Sequence, residues 1–377
     1  MVSRNSEFMR YFNYAGLSPT RAEALEAMHE VCKEFGARLF SESGIAWYRT
    51  QVENSRRLVA QLLHAHLDEG DDSLVFVPNA TTAYAIALSA LELQRGDLVI
   101  TSDQEHPSTS QAHSSLMRRG IEVLVIPASS EESFLAQLEE ACKDRRTKLI
   151  TVSHVAHTDG RIFPLPQVGG IAARHDVMLV IDGAQAVGHV PVDLGTLEVD
   201  VYFFSGHKWC AGPMGTGALL MTKRFKERQV RRKSGSSATG GRAEYVDLGT
   251  QNIGLIAGFG KACELARQEL PAMTGLARLR TLFKGRVGRV HDIECAEWNG
   301  PHAPGIVSIR VTKAGIDPTR LAEYLAATHD IAIKPTRDSE SPQLLRASWS
   351  LSTGEQDVMF LTEKLVEALE FLSRQAR

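Results

Sequence analysis

A regular alternation of short apolar runs and helical patterns between residues 74 and 222 constrains the fold more than any other feature of this sequence. The runs show little alternation of polar and apolar residues, which is typical of strands buried on both faces of a sheet. Parallel strands need long connections, and the intervening stretches have the pattern of connecting helices. We therefore expect an α/β fold with a mostly parallel, mixed seven-stranded sheet and helices on both faces. The runs are LVFV (74–77), LVIT (98–101), VLVIP (123–127), KLITVS (148–153), VMLVID (177–182), VYFFS (201–205) and GALLMT (217–222).

The C-terminal third predicts a second, smaller unit. Helical patterns cover residues 252–269 and 271–283, and Pro301 and Pro304 then mark a break. After this break, two apolar runs alternate with two helical patterns, which indicates an α+β arrangement.

These patterns suggest a division into domains. We expect a large domain over residues 15–270 and a small C-terminal domain over residues 271–377, with residues 1–14 packing nearby. Ahead of the sheet, Ser18-Pro19 predicts the start of a helix, with the serine as N-cap and the proline at the first helical position.

Composition argues against several classes of protein. The chain has 42 Lys and Arg against 45 Asp and Glu, a net charge of −3, whereas a nucleic-acid binder normally carries a basic excess. No apolar run approaches the ~18 residues that a membrane span needs. The five cysteines are far apart and form no C-x-x-C pair, so we expect neither a disulfide framework nor a structural zinc site. These features predict a cytoplasmic protein whose partners include neither nucleic acid nor membrane.

Two charged residues follow neighbouring predicted strands. Asp182 closes the run VMLVID, where a buried carboxylate is unfavourable unless it is paired. Lys208 follows 26 residues later, in a Ser-Gly-His-Lys turn after the next strand. Because the carboxyl ends of parallel strands share one edge of a sheet, both residues are expected to face one crevice, where such folds bind ligands.

A lysine opposite a buried aspartate suits pyridoxal 5′-phosphate. This cofactor needs a lysine amine for its aldehyde and a carboxylate that keeps its pyridine nitrogen protonated. Its phosphate needs an anion site, and Asn79-Ala80-Thr81-Thr82 opens a predicted helix directly after a strand. Free backbone N–H groups, two hydroxyls and the positive helix end would lie together there. The residues therefore predict a pyridoxal 5′-phosphate site.

Seven short motifs together resemble those of a known family, the fold-type-I, pyridoxal-phosphate-dependent class V aminotransferases, which include cysteine desulfurases and isopenicillin N epimerase. The resemblance runs from residue 13 to the last predicted helix. It implies the type I fold of these transferases, an amino acid or amino-acid conjugate as substrate, and a homodimer. The motifs are NATT (79–82), EHP (105–107), SHV (153–155), DGAQAVGH (182–189), SGHKW (205–209), GTQN (249–252) and LRAS (345–348).

The resemblance also implies a role for each matching residue. The expected catalytic residues are Lys208, which bonds the cofactor aldehyde and later carries a proton, Asp182, which pairs with the pyridine nitrogen, and His106, which stacks on the ring. Gln185 would bond the phenolic oxygen, and the planar guanidinium of Arg346 would bind the substrate carboxylate. The expected phosphate ligands are Thr81, Thr82, Ser205 and His207, with Thr250 reaching the phosphate of the neighbouring subunit.

Two departures from the desulfurase pattern bear on the reaction. Where desulfurases have Ser-Asn, this chain has Ser153-His154, which is more similar to the epimerase branch. The loop before Arg346, which carries a cysteine in desulfurases, has none between Pro335 and Leu345. We therefore expect no persulfide on the protein. Cys210, next to the Lys208 turn, is interpreted as a packing residue.

Two other functions remain open at this point. A metal-dependent hydrolase could use His154 with His157, or Asp103 with His106, since each pair is three residues apart. A hydrolase of this kind would give Lys208 no role, so we expect no metal. The second possibility is a catalytically silent relative that only binds the cofactor or a partner.

The expected chemistry begins with removal of the Cα proton of an amino acid by Lys208. Loss of a β-substituent would make the enzyme a lyase, such as a C–S lyase, and this outcome ranks first. Reprotonation on the opposite face would make it an epimerase, and protonation at the cofactor would make it an aminotransferase. Decarboxylating and oxidative variants also remain, because fold and cofactor do not fix the outcome of the reaction.

Overall fold

The computed structural model describes residues 9–38, 41–67, 72–228, 251–336 and 343–375. Its helices, in chain order, are α1 (Ala22–Arg38), α2 (Glu42–Leu63), α3 (Ala80–Ala90), α4 (Pro107–Arg118), α5 (Glu131–Cys142), α6 (Leu165–Arg174), α7 (Lys223–Glu227), α8 (Ile253–Thr274), α9 (Ala277–Val287), α10 (Pro318–His329) and α11 (Glu355–Gln375). Its strands are β1 (Arg10–Tyr11), β2 (Ser73–Val77), β3 (Leu98–Ser102), β4 (Glu122–Ile126), β5 (Thr147–Ser153), β6 (Met178–Asp182), β7 (Val201–Ser205), β8 (Gly217–Met221), β9 (Ile293–Cys295), β10 (Ile306–Val311), β11 (Ile331–Ala332), β12 (Lys334–Thr336) and β13 (Leu344–Ser348).

The seven apolar runs form a single seven-stranded sheet. Its strand order is β2-β8-β7-β6-β5-β3-β4. Strand β8 is antiparallel to both of its neighbours, and the other four pairings are parallel. The predicted mostly parallel mixed sheet is therefore confirmed, and strands β6 and β7 end at the same edge.

Both faces of this sheet are covered by helices, as the unbroken apolar runs predict. In β6, Leu179 and Ile181 belong to the core that contains residues of α2, α5, α6 and α8. Met178 and Val180 point to the opposite face, where they belong to a second core that contains residues of α3 and α4. All four side chains are buried. This two-sided burial explains why polar residues are nearly absent from the strand until Asp182 at its end.

The C-terminal part forms a smaller sheet. Its order is β12-β13-β10-β9, and all three pairings are antiparallel. The N-terminal strand pairs with this part of the chain, since Arg10 and Tyr11 lie parallel to Ile331 and Ala332. The boundary expected at residues 270/271 falls inside α8, so the division into two domains stays a prediction.

Several helix boundaries differ from the sequence-based expectations. Helix α1 begins at Ala22, three residues after the expected start at Pro19, and its first backbone bond runs from the N–H of Leu25 to the carbonyl of Arg21 (3.1 Å). Pro271 lies inside α8, where its ring leaves the carbonyl of Arg267 without the usual N–H donor, and only the last three residues of the helix follow it. Helix α2 was not anticipated from the sequence. No helix in the described ranges is long and apolar enough to cross a membrane.

Candidate active site

Asp182 and Lys208 lie at the shared carboxyl edge of β6 and β7. Asp182 is the last residue of β6, and its Oδ1 accepts a hydrogen bond from the backbone N–H of Ala184 (2.8 Å). Burial raises the pKa of this carboxyl group, and the nearby Lys208 amine opposes that shift. Burial lowers the pKa of Lys208 to about 8, Asp182 opposes this, and the positive charge of Arg346 adds to it. Within the described part of the chain, no hydrogen bond or ion pair occupies the Lys208 amine.

The N-terminus of α3 lies at the same edge. Asn79 caps the helix, with its Oδ1 accepting from the backbone N–H of Thr82 (2.9 Å). Ser205 Oγ, at the end of β7, accepts from the backbone N–H of Ala80 (2.9 Å). Thr81 is exposed and Thr82 half-buried. The structure thus brings three of the expected phosphate ligands to one helix N-terminus, whose N–H groups and dipole favour an anion.

Two histidines border this edge. His106 is the N-cap of α4, and its Nδ1 accepts from the backbone N–H of Ser108 (3.2 Å). Burial, together with the charges of Lys208 and Arg346, lowers the pKa of His106 to about 4, so its ring is neutral at pH 7. His207 is half-buried, and burial and the neighbouring Lys208 also lower its pKa.

Gln185 is held in place at both ends of its amide. Its Nε2 donates to the carbonyl of Ala15 (2.9 Å), and its Oε1 accepts from Trp209 Nε1 (2.8 Å). The Trp209 ring stacks on His189, with ring centroids 3.5 Å apart. One hydrogen of the Gln185 NH₂ group remains after these contacts, so its expected bond to a phenolic oxygen is compatible with the structure.

Arg346 reaches the same site from β13 of the smaller sheet. It is 4% exposed, and burial lowers the pKa of its guanidinium to about 10. Nη1 donates to the backbone carbonyl of His157 (2.7 Å), and Nη2 donates to Asn13 Oδ1 (3.1 Å). Nε has no hydrogen-bond partner among the described residues. A buried guanidinium that is partnered by neutral groups is suited to bind a carboxylate.

Three residues near the site were not among those expected to bind the cofactor or the substrate. Asn13 and His157 contact Arg346, and Glu105 bonds Ser153 twice, through Oε1 to its N–H (3.0 Å) and through Oε2 to its hydroxyl (2.7 Å). Burial raises the pKa of Glu105 to about 7. Glu105 lies in the EHP motif and could have been singled out there. Nothing in the sequence indicates that Asn13 and His157 meet Arg346.

The histidines considered as metal ligands have separate environments. His154 Nδ1 forms a hydrogen bond with the hydroxyl of Tyr202 (2.8 Å), whereas the His157 ring contacts the His106 ring, with centroids 5.0 Å apart. In the ranges that the structure describes, no group of three or more His, Cys, Asp or Glu is arranged to hold a metal ion. Thr250 lies outside the described residues.

The residues present fit pyridoxal 5′-phosphate. The Lys208 amine has no partner among the described residues and lies near the half-buried carboxylate of Asp182, a helix N-terminus lies at the same edge, and Arg346 Nε is buried without a partner. A cofactor with an aldehyde, a basic ring nitrogen and a phosphate, together with a carboxylate substrate, would satisfy all of these groups.

Comparisons with known proteins point to the same family. The profile of the family described as Aminotransferase class-V matches residues 10–360. The chain is 32% identical over 305 residues to the cysteine desulfurase IscS of Dictyoglomus turgidum, covering 78% of this chain and 72% of that protein.

Solved structures share the fold. The apo structure of a cysteine desulfurase from Thermococcus onnurineus NA1 has a TM-score of 0.82 at 23% identity and covers 96% of this chain and 95% of its own. The cystine C–S lyase C-DES, in complex with its reaction product cysteine persulfide, has a TM-score of 0.81 at 24% identity and covers 95% and 97%. These similarities confirm the type I fold that the motifs imply.

The family profile spans most of the chain and includes all seven motifs from NATT to LRAS. The chain therefore belongs to the class V aminotransferase family and is a pyridoxal 5′-phosphate-dependent enzyme.

Proposed function

We propose that this enzyme is a β-eliminating C–S lyase that acts on an amino acid with a sulfur substituent on its β-carbon. The observation that carries the proposal is a site suited to Cα deprotonation, at Lys208, combined with a loop before Arg346 that holds no cysteine. Relatives named as cysteine desulfurases, and a neighbour in fold named as a cystine C–S lyase, support a sulfur-containing substrate.

We assign the residues as follows. Lys208 binds the cofactor aldehyde, Asp182 its pyridine nitrogen, and Gln185 its phenolic oxygen, while His106 stacks on the ring. The phosphate is held by Thr81, Thr82, Ser205 and His207, with Thr250 of the partner subunit as an inferred contributor. Arg346 binds the substrate carboxylate through a charge-assisted hydrogen bond.

The reaction transfers one proton and breaks one carbon–sulfur bond. When bound, the cofactor supplies a protonated ring that stabilises the negative charge left at Cα. Lys208 Nζ takes the Cα proton, and its pKa near 8 leaves a useful fraction of the amine neutral at pH 7. As a Cα–Cβ double bond forms, the sulfur leaves with the bonding electron pair. After hydrolysis the products are pyruvate, ammonia and a thiol, or a persulfide if the substrate is a disulfide.

The five cysteines are poorly suited to accept sulfur. Burial raises the pKa of Cys142 to about 12 and that of Cys295 to about 11, so neither supplies much thiolate at neutral pH. Cys210 is fully buried and its Sγ contacts the carbonyl of Val187 (3.7 Å), and Cys263 is fully buried as well. Cys32 is exposed on α1, which packs against α8, whereas Arg346 lies on β13 of the smaller sheet.

The fate of the carbon skeleton tests this proposal. Transfer of sulfur to a protein thiol would leave alanine, whereas elimination yields pyruvate and ammonia. We expect L-cysteine or L-cystine to give pyruvate and ammonia in equal amounts, with no added sulfur on the protein by mass spectrometry. A variant with all five cysteines replaced by Ser or Ala should retain turnover apart from packing losses. Alanine as the product, together with an adduct of one sulfur atom on a cysteine, would contradict the proposal.

Epimerisation is the second candidate, because Ser153-His154 is similar to the epimerase branch. It predicts exchange of the Cα proton with solvent deuterium and inversion at Cα, without pyruvate. Transamination would instead leave the pyridoxamine form of the cofactor and a keto acid. Assaying pyruvate, sulfide, proton exchange and the pyridoxamine form together separates the three reactions.

A further inference from the structure

His157 has an unpartnered ring nitrogen beside Arg346. The residue is 9% exposed, and its Nδ1 has no hydrogen-bond partner among the described residues. Nε of Arg346 is also buried and has no hydrogen-bond partner among the described residues. Buried polar atoms in folded proteins are nearly always hydrogen-bonded. Because Arg346 bonds the backbone carbonyl of His157, these two unpartnered atoms point to a ligand that bonds both residues.

The backbone around His157 is fixed by tertiary contacts. The carbonyl of His157 accepts from Arg346 Nη1 (2.7 Å), and the next side chain, Thr158, donates from Oγ1 to Gln104 Oε1 (2.9 Å). Gly160 adopts a φ of +80°, and a Cβ at that position would lie 2.8 Å from Cβ of Ile306. These contacts on both sides of His157 hold its backbone against two sheets, as a specific binding residue requires.

The His157 ring acts as a hydrogen-bond acceptor at Nδ1. The ring hydrogen-bonds the backbone of Gln104, whose N–H is already donated to Ser102 Oγ (3.2 Å), so the carbonyl of Gln104 is the group that accepts. With Nδ1 unpartnered, the donor is Nε2. Burial and the charges of His106, Arg346 and Lys208 lower the pKa of His157 well below its ordinary value. The neutral ring therefore presents a lone pair at Nδ1.

We propose that His157 is a substrate-binding residue, whose Nδ1 accepts a hydrogen bond from the amine of the incoming amino acid while Arg346 binds its carboxylate. In an α-amino acid these two groups are attached to the same carbon. A carboxylate held by Arg346 thus brings the N–H groups within reach of the residue that Arg346 itself contacts. This inference rests on the proposed function only in that an amino acid binds at this site. It requires no particular fate of the substrate.

Binding to the borohydride-reduced holoenzyme tests the proposal, since the cofactor in that form cannot react with the ligand amine. The probes are L-cysteine and 3-mercaptopropionate, which has the same carboxylate and thiol but lacks the amine. For His157→Leu, we expect calorimetry to show about a tenfold or greater loss of affinity for L-cysteine and a change below about threefold for 3-mercaptopropionate. His157→Asn, which keeps a polar atom near the position of Nδ1, should recover part of the loss.

His113→Leu is the matched control. His113 is also a buried histidine, and its Nε2 bonds the hydroxyl of Tyr84 (2.6 Å). This variant should lower the melting temperature without changing the ratio of the two affinities. If His157→Leu weakens both ligands equally, or neither, the inference is wrong, and the comparison with His157→Asn settles the matter should the leucine variant fail to fold. Turnover is not measured, so failure of the C–S lyase proposal would leave this result interpretable.

Discussion

Arg346 donates a 2.7 Å hydrogen bond from Nη1 to the backbone carbonyl of His157, and this bond joins the four-stranded sheet to the carboxyl edge of the seven-stranded sheet. The guanidinium is therefore held by backbone and side-chain oxygens before any substrate arrives. Its orientation, and not only its charge, is set by the fold, which leads to the first prediction.

Arg346→Lys should weaken substrate binding although it preserves the charge. A lysine ammonium cannot keep the bonds to His157 and Asn13 and also bind a carboxylate with the planar geometry of a guanidinium. We expect the KM for the amino-acid substrate to rise about ten- to hundredfold. Arg10→Lys is the control, because Arg10 forms an exposed ion pair with Asp357. An unchanged KM in Arg346→Lys would remove Arg346 from the carboxylate site.

Lys208 should be the residue that carries the cofactor. Reduction of the holoenzyme with borohydride followed by peptide mapping is expected to find the label on Lys208. Lys208→Ala should retain some cofactor through the α3 N-terminus but lose turnover, whereas Lys143→Ala, which removes an exposed lysine, should behave as the wild type. A label on another lysine would contradict the assignment.

Asp182→Ala should slow exchange of the Cα proton by about a hundredfold or more, because the charge-assisted partner of the ring nitrogen is lost. Asp193→Ala is a matched control. Asp193 is exposed, and its Oδ1 accepts from the backbone N–H two residues later (3.0 Å), as Asp182 Oδ1 does (2.8 Å). Deuterium exchange measured by NMR compares the two variants. Near-normal exchange in Asp182→Ala would mean that the ring does not depend on this carboxylate.

Loading of the cofactor-free protein should be pH-dependent. Only the neutral Lys208 amine attacks an aldehyde, so the loading rate, followed by absorbance, should rise with pH through a midpoint near 8. Because Asp182 raises and Arg346 lowers the Lys208 pKa, Asp182→Asn should move the midpoint down and Arg346→Gln should move it up. A midpoint that stays fixed in both variants would contradict this electrostatic coupling.

The same pKa shift affects stability. Between about pH 8 and pH 10.5 the folded form binds fewer protons at Lys208 than the unfolded form, so this residue favours folding increasingly as pH rises through that window.

The functional unit should be a homodimer. This prediction rests on Thr250, which the motif resemblance implies as a contributor to the phosphate site of the neighbouring subunit, and it accords with the exposure of Thr81 in the single protomer. Cofactor affinity is expected to fall on dilution into monomers and to fall in Thr250→Val. Sedimentation velocity combined with cofactor absorbance checks both. A stable monomer with full cofactor occupancy would exclude the dimer.

The sequence by itself predicts the sheet and part of the site. Apolar runs such as VYFFS indicate buried strands. Asn79 is predictable as a helix cap because its side chain binds the N–H of a residue only three positions later. Strand order at one shared edge then brings Asp182 and Lys208 together. These features depend on local patterns or on a general rule of parallel sheets, so no knowledge of distant contacts is needed.

The tertiary structure alone decides how the site is completed. Gln185 meets Ala15 across 170 residues, Arg346 meets His157 across 189, and Asn13 meets Arg346 across 333. No periodicity or motif encodes such pairs, because they depend on how the N-terminal segment and the smaller sheet pack on the larger one. The pKa values of Lys208 and His106 follow from the same packing, since burial is the largest cause of each shift. Helix α1 likewise starts at Ala22 and not just after Ser18, and the backbone N–H groups of Ser18 and Arg21 donate to the carbonyls of His207 and Ala211 in a distant turn.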